Sequence, residues 1–233
     1  MASPTEASTF RALKPRTGTE PGRRKDHDPD EVRRRLIAAA TQCFADRGFE
    51  GVNSNQIARA AGVGVGTFYK HFGDKFDVHQ AVVLDALEAL RRRIAHSVAS
   101  TGGALEGQVR DLIEAIIGYA EVDPARFRVA FGPAPSRRSS PRGQGTQART
   151  GGTARAQVGY STRVTERRLA ELQAADLLDP RLHPGVAARA FVAMQNSVVC
   201  WWLEDKSRAT RDDLIETLIL LHPAVAAASG ADS

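Results

Sequence analysis

The chain is poor in the residues and patterns that would place it outside the cell or give it catalysis. It has two cysteines, Cys43 and Cys200. They are not spaced as metal ligands and fall on apolar helical faces, so reduced thiols in a cytosolic protein are expected. None of the six histidines (27, 71, 79, 96, 183 and 222) forms a metal-ligand spacing such as H-x-x-x-H, and no metal or other cofactor is expected. There is no nucleophile elbow and no P-loop, hence no catalytic residue to propose. The most apolar stretch, Val186 to Leu203, is interrupted by Arg189, Gln195 and Asn196, which makes it a buried helix rather than a membrane span. The first residues have no apolar core like that of a signal peptide, so a cytoplasmic location without a membrane is the expectation. No stretch alternates apolar and polar residues over a convincing length. Alanine, leucine and arginine dominate instead, and the expected class is all-α.

What is present is concentrated between Asp30 and Val83. A first helix over about 30–47 carries Leu36, Ile37, Ala40, Cys43 and Phe44 at helical spacing, with Arg33, Arg34 and Arg35 on its first turns. Gly48 follows where a helix end favours a left-handed residue, and Phe49 folds back on the apolar stripe. A second helix starts at Asn53, an N-cap with Gln56 at the capping-box distance. Ile57, Ala58 and Ala61 face inward, Gly62 ends the helix, and Val63 enters the core. A third helix over about 65–71 has Gly64 as N-cap and buries Phe68 and Phe72, four apart on one face. Val65, Gly66, Thr67, Tyr69, Lys70 and His71 are then left on or near the outer face. Asp74 caps a fourth helix, which begins with Lys75.

Two short helices hinged at a glycine form a helix-turn-helix, which sets its second helix in a DNA groove. Gly66 lets that helix approach closely. Thr67 and Lys70 reach base edges or phosphates, and Tyr69 and His71 donate to phosphate. Asn53, Ser54, Asn55, Val65 and Lys75 complete the expected DNA-contacting set. The order Gly62-x-Gly64-x-Gly66 also suggests a nucleotide-binding loop, but that loop needs a preceding strand and here a helix precedes it.

These residues resemble the DNA-binding domain of the TetR/AcrR family of transcriptional regulators. The resemblance rests on Ile57-Ala58, Ala61-Gly62-Val63, Gly66-Thr67-Phe68-Tyr69, His71-Phe72 and Lys75, and covers about a quarter of the chain in detail. Two departures stand out: Gly64 where the family usually has Ser or Thr, leaving the third helix without a side-chain cap, and Phe76 where an acidic residue is common.

Net charge is +5 and the pI about 9.6, which suits a nucleic-acid partner. The excess does not lie in the helix-turn-helix, however. Residues 29–80 are nearly balanced, whereas Pro124 to Thr165 holds eight arginines and no acid. The motif, not the pI, carries the DNA-binding expectation.

The expected organisation is a disordered basic arm (1–28), the helix-turn-helix domain (29–75), a linking helix (76–101), a second helical domain (102–225) with a flexible loop (132–152), and a tail (226–233). The arm either enters the minor groove or is a solvated tail. The loop is a lid, a contact for an acidic partner, or idle. The linking helix carries Val83, Leu87, Leu90, Ile94 and Val98 in one stripe and joins the two domains. Later helices are expected over about 105–120, a short one after Asp123-Pro124, then about 153–178, 184–205 and 210–221.

The last two helices (about 184–205 and 211–221) are apolar on more than one face, which suggests self-association. The resemblance implies the same: a homodimer through these helices, placing two recognition helices on a near-palindromic operator. It further implies a pocket in the second domain for an unidentified small-molecule effector. The candidate lining residues are Leu90, Ile94, Ile113, Ile117, Phe127, Phe131, Tyr160, Val164, Met194, Val198 and Trp201, each of which also reads as ordinary core, and Gln195, which with Asn196 needs a polar partner in a ligand or across the dimer. The expected function is a ligand-responsive homodimeric repressor, released from operator DNA when an apolar effector tilts the linking helix. The alternatives are a helical carrier or enzyme whose head is only structural, or a non-specific DNA binder without effector.

Overall fold

The computed structural model describes residues 28–98, 104–132 and 147–225, and the side chains of these except Val98, residues 147–158 and Tyr160. The expected basic arm apart from Asp28, the tail 226–233 and residues 133–146 of the expected loop lie outside the described residues. All regular elements among the described residues are helical: α1 (Pro29–Arg47), α2 (Ser54–Ala60), α3 (Val65–His71), α4 (Lys75–Val98), α5 (Leu105–Val122), α6 (Pro124–Phe131), α7 (Gln147–Ala174), α8 (Pro184–Glu204) and α9 (Arg211–Leu220), with a 3-10 turn at Lys206–Arg208.

The head is α1 to α3 with the first turns of α4. Val32, Leu36, Ile37, Ala40 and Phe44 of α1 close on Ile57 and Ala58 of α2, Phe68 of α3, Phe72, and Val78, Ala81 and Val82 of α4. A larger core lies beyond it. There α4 supplies Val83, Ala86, Leu87 and Leu90, α5 supplies Val109, Ile113, Ile116 and Ile117, and α8 and α9 supply Val199, Trp202, Leu214, Ile215, Leu218 and Ile219. One continuous helix, α4, thus buries its first turns in one core and its middle in the other. A small third cluster, Leu169, Leu172, Leu178, Ala188 and Ala224, fastens α7 to α8 and to the segment after α9.

The structure adds a second bridge that the sequence did not suggest. Helix α6 packs against both α1 and α4. Its Phe127 and Ala130 belong to the larger core, while Val129 reaches the core of the head.

Two boundaries differ from expectation. Residues 147–152, expected within the flexible loop, are the first turns of α7. Gly151 and Gly152 disfavour helix, but each added residue gains a hydrogen bond once a long helix exists, and the flanking Ala, Gln and Arg are good formers. The far end of α7 is Ala174, not Leu178. There Leu177 N–H donates to Leu172 O at 2.9 Å and Asp176 N–H to Gln173 O at 3.1 Å, a Schellman motif with Asp176 at φ 57°. Asp tolerates this conformation better than most residues, so the helix stops without the glycine that usually marks such an end.

Candidate nucleic-acid interface

Each turn of the head has a local chemical cause. Asp28 caps α1 by accepting from Asp30 N–H at 3.0 Å. At the start of α2, Asn53 Oδ1 accepts from Gln56 N–H at 3.0 Å and Gln56 Oε1 accepts from Asn53 N–H at 2.9 Å, the complete capping box expected from the spacing. The chain leaves α2 through Gly62 at φ +66°. Gly64 caps α3 with no side-chain hydrogen bond. Asp74 Oδ1 then accepts from Phe76 and Asp77 N–H at 2.7 and 2.9 Å to start α4.

Two further anchors were not legible in the sequence. Arg35, on α1, donates through Nη2 to the carbonyls of Ala61 and Gly62 at 2.7 and 3.2 Å, fixing the turn that sets the angle between α2 and α3. Arg33 lies over the Phe72 ring, 5.2 Å from its centre, at the end of α3. Arginines on the first turns of α1 pointed to DNA as readily as to the protein's own turn, and nothing in their spacing separates the two uses.

On this scaffold α3 turns Phe68 fully inward and leaves Val65 at 41% and Tyr69 at 54% exposure, with Gly66 and Lys70 also exposed and Thr67 and His71 half-buried. No acidic residue falls within α3. Asn55 is exposed and Ser54 half-buried at the start of α2. Asn53 is exposed too, but its side-chain oxygen is committed to the cap.

Lys75 is placed differently from the expectation. Its Nζ donates to Phe49 O at 2.9 Å, sits 4.3 Å from the centre of the Phe49 ring and 3.8 Å from Glu50, and its side chain is only 22% exposed. It clamps the start of α4 to the loop after α1. Phe76, the other departure, packs edge-on against Phe49 with ring centres 5.8 Å apart, filling the same junction with an aromatic.

In the second domain the candidate pocket residues separate into two groups. Leu90, Ile113, Ile117 and Phe127 are buried in the larger core, and Ile94, Phe131, Met194 and Val198 pack half-buried against it. Gln195 is 4% exposed on the inner face of α8. Val164 and Trp201 do not point inward, since they are 47% and 45% exposed. Trp201 falls on the α8 face that carries exposed Val186, and the Arg208 guanidinium lies 5.2 Å from its ring centre. Its neighbour Trp202 is the one that turns in, donating Nε1–H to Ala209 O at 2.9 Å. Apolar character alone could not tell these adjacent tryptophans apart. The Tyr160 side chain lies outside the described residues.

A head of three short helices with an exposed, acid-free third helix is the form of a DNA-reading domain. Residues 36–82 match the family described as bacterial regulatory proteins, tetR family. Over this head the chain is similar to the tetR family. The HTH-type transcriptional activator FasR of Mycolicibacterium smegmatis is 29% identical over 102 residues, 44% of this chain and 46% of that protein. The chain thus spans less than half the length of this relative. Among solved structures, the fatty acid degradation regulator FadR from Bacillus halodurans superposes with a TM-score of 0.62 at 18% identity, covering 82% of this chain and 94% of that one. AibR, solved in complex with isovaleryl coenzyme A and operator DNA, gives 0.61 at 16% identity over 83% and 98%. At these identities the likeness is one of fold, and it extends over both domains. Among the described residues no helix is long and apolar enough to cross a membrane.

Proposed function

We propose that the chain is a sequence-specific transcriptional regulator acting as a homodimer on operator DNA, with Asn55, Val65, Gly66, Thr67, Tyr69, Lys70 and His71 at the interface and Ser54 beside them. The observation that carries this reading is Gly66. Nothing of the protein lies within 4 Å of where its Cβ would be, so the fold makes no demand for glycine there. Glycine in a helix costs about 0.5–1 kcal/mol relative to alanine. A bare backbone at an exposed helix start is useful to a partner that must come close, and the acid-free, Lys70-bearing face beside it suits phosphate. Gly66→Ala is therefore expected to raise stability by about 0.5–1 kcal/mol in urea denaturation while weakening operator binding in an anisotropy titration. Improved stability with unchanged operator affinity contradicts the reading.

The second domain supports a ligand-responsive regulator. Its core holds Phe127, Phe131, Met194 and Val198 around the middle of α4. A small molecule accommodated there would act on the helix that also enters the head. A neighbour of the same fold binds both an acyl coenzyme A and operator DNA. In this reading effector binding weakens operator affinity, and the protein acts as a repressor that its ligand releases. Lys70→Ala is expected to reduce operator affinity roughly uniformly across sequences and to lower the slope of log K against log salt by about 1. An unchanged slope would show that Lys70 does not meet phosphate.

A further inference from the structure

We propose that Tyr119 and Arg126 form the polar end of the effector site, and that this end takes the carbonyl oxygen of an uncharged, otherwise apolar molecule. The proposal rests on the reading of the second domain as a ligand-binding unit and gives that ligand a chemistry.

Two buried donors of the second domain have no hydrogen-bond partner. One is the hydroxyl of Tyr119 on α5, a residue 6% exposed, and the other is Nε of Arg126 on α6. Arg126 Nη1 is occupied by Asp85 of α4 at 2.8 Å, and Nε lies 3.1 Å from Asp123 Oδ2 without directing its hydrogen at that oxygen. Folded proteins rarely leave such groups unmade, and two unmade donors in one place call for an acceptor. The groups share a neighbourhood. The phenol feels the charges of Arg126, Asp123, Asp85 and Arg92, and burial first of all pushes its pKa up to about 12, so it remains a donor.

The same surroundings select the acceptor. The four charges form two cations and two anions, already in balance. A carboxylate would bring a third anion beside Asp85 and Asp123, and like-charge repulsion disfavours it. A carbonyl oxygen is neutral and has two lone pairs, enough for both donors. An apolar body has a surface next to it: the Phe127 ring centre is 6.3 Å from that of Tyr119, and Phe131 continues the aromatic wall 4.7 Å from Phe127. Because Arg126 ties α6 to α4 through Asp85, a ligand seated here touches both helices that reach the head.

The test uses full-length protein without DNA and three probes of equal chain length: 2-nonanone, 2-nonanol and nonanoate, titrated by calorimetry into wild type, Tyr119→Phe and Arg126→Lys. The ketone is expected to bind wild type at least tenfold tighter than nonanoate and more tightly than the alcohol. Tyr119→Phe is expected to lower ketone affinity about tenfold with no fall in the thermal midpoint, because its hydroxyl has no bond to lose. Arg126→Lys keeps the charge facing Asp85, removes Nε–H, and should weaken the ketone as well. Tighter binding of nonanoate, equal ketone affinity in Tyr119→Phe, no ketone binding at all, or a lowered midpoint marking a structural water on the hydroxyl each overturn the proposal. Retention on operator DNA, measured separately without probe, keeps the two readings apart: its loss with ketone binding intact counts against the regulator, not against this site.

Discussion

At Gly62 the backbone turns at φ +66°, and a Cβ there would lie 3.0 Å from the Arg35 guanidinium that holds the turn. Both facts oppose a side chain. Gly62→Ala is expected to cost about 1–2 kcal/mol, read as a lowered urea midpoint. A neutral effect would mean that the turn relaxes and Arg35 does not fix it. At this scale the sequence was most legible where a residue acts on its own neighbours. Asn53 with Gln56, Gly48, Gly62, Gly64 and Asp74 all act within a few positions, and the structure places each as their spacing implied. It was least legible where a long side chain chooses a distant partner. Lys75 reaches back to Phe49 and Glu50, and Arg35 to Ala61, across 26 positions in the case of Phe49 and Ala61. Nothing in local periodicity records such a choice.

At the scale of elements, the entry of α4 into the head is an aromatic junction around one histidine. His79 is 8% exposed and its ring centre lies 5.4 Å from Phe44 and 5.3 Å from Phe49. Desolvation lowers its pKa from 6.5 to about 4. His222, after α9, is lowered to about 4 for the same reason, and its Nδ1 accepts from Ala224 N–H at 3.2 Å. Folding therefore favours the neutral ring at both sites. Their contribution is fully present above the unfolded value near 6.5 and is lost as the pH falls toward 4, because the unfolded chain takes up protons that the folded chain refuses. At pH 5 the loss amounts to roughly 1–2 kcal/mol for each histidine relative to pH 7. Urea denaturation at the two pH values measures it, and His79→Phe should remove about half of the difference. Equal stability at pH 5 and 7 would mean that neither ring is held neutral. The element boundaries that went astray have physical reasons too. Helix α7 begins through a Gly-Gly pair and ends on a left-handed Asp176, so propensity misled at both ends.

At the scale of the molecule, the second domain leaves apolar surface uncovered. Val186 and Trp201 on α8 are 65% and 45% exposed, and Leu220 and Leu221 at the end of α9 are 68% and 52% exposed. The surplus was legible in the composition of these helices. Which residues formed it was not, since that depends on how α8 rolls against α5 and α7. A dimer built on this surface would pair two heads. Trp201→Glu is expected to yield a monomer in sedimentation experiments, with its helical content kept because the ring is outside the core. A dimer that survives the charge would move the interface elsewhere. The two bridges between domains, α4 and α6, were unequally visible. The α4 stripe runs unbroken through the sequence, whereas the contact of α6 with α1 depends on the fold of the whole chain.

The central claim is that α3 reads DNA in sequence and does so twice in one assembly. The most direct measurement is selection of genomic fragments by the purified protein, read by sequencing. Recovery of one near-palindromic motif is expected, its half-sites spaced by about one or more helical turns, about 34–36 Å each. Broad recovery without a motif, or no recovery, contradicts it.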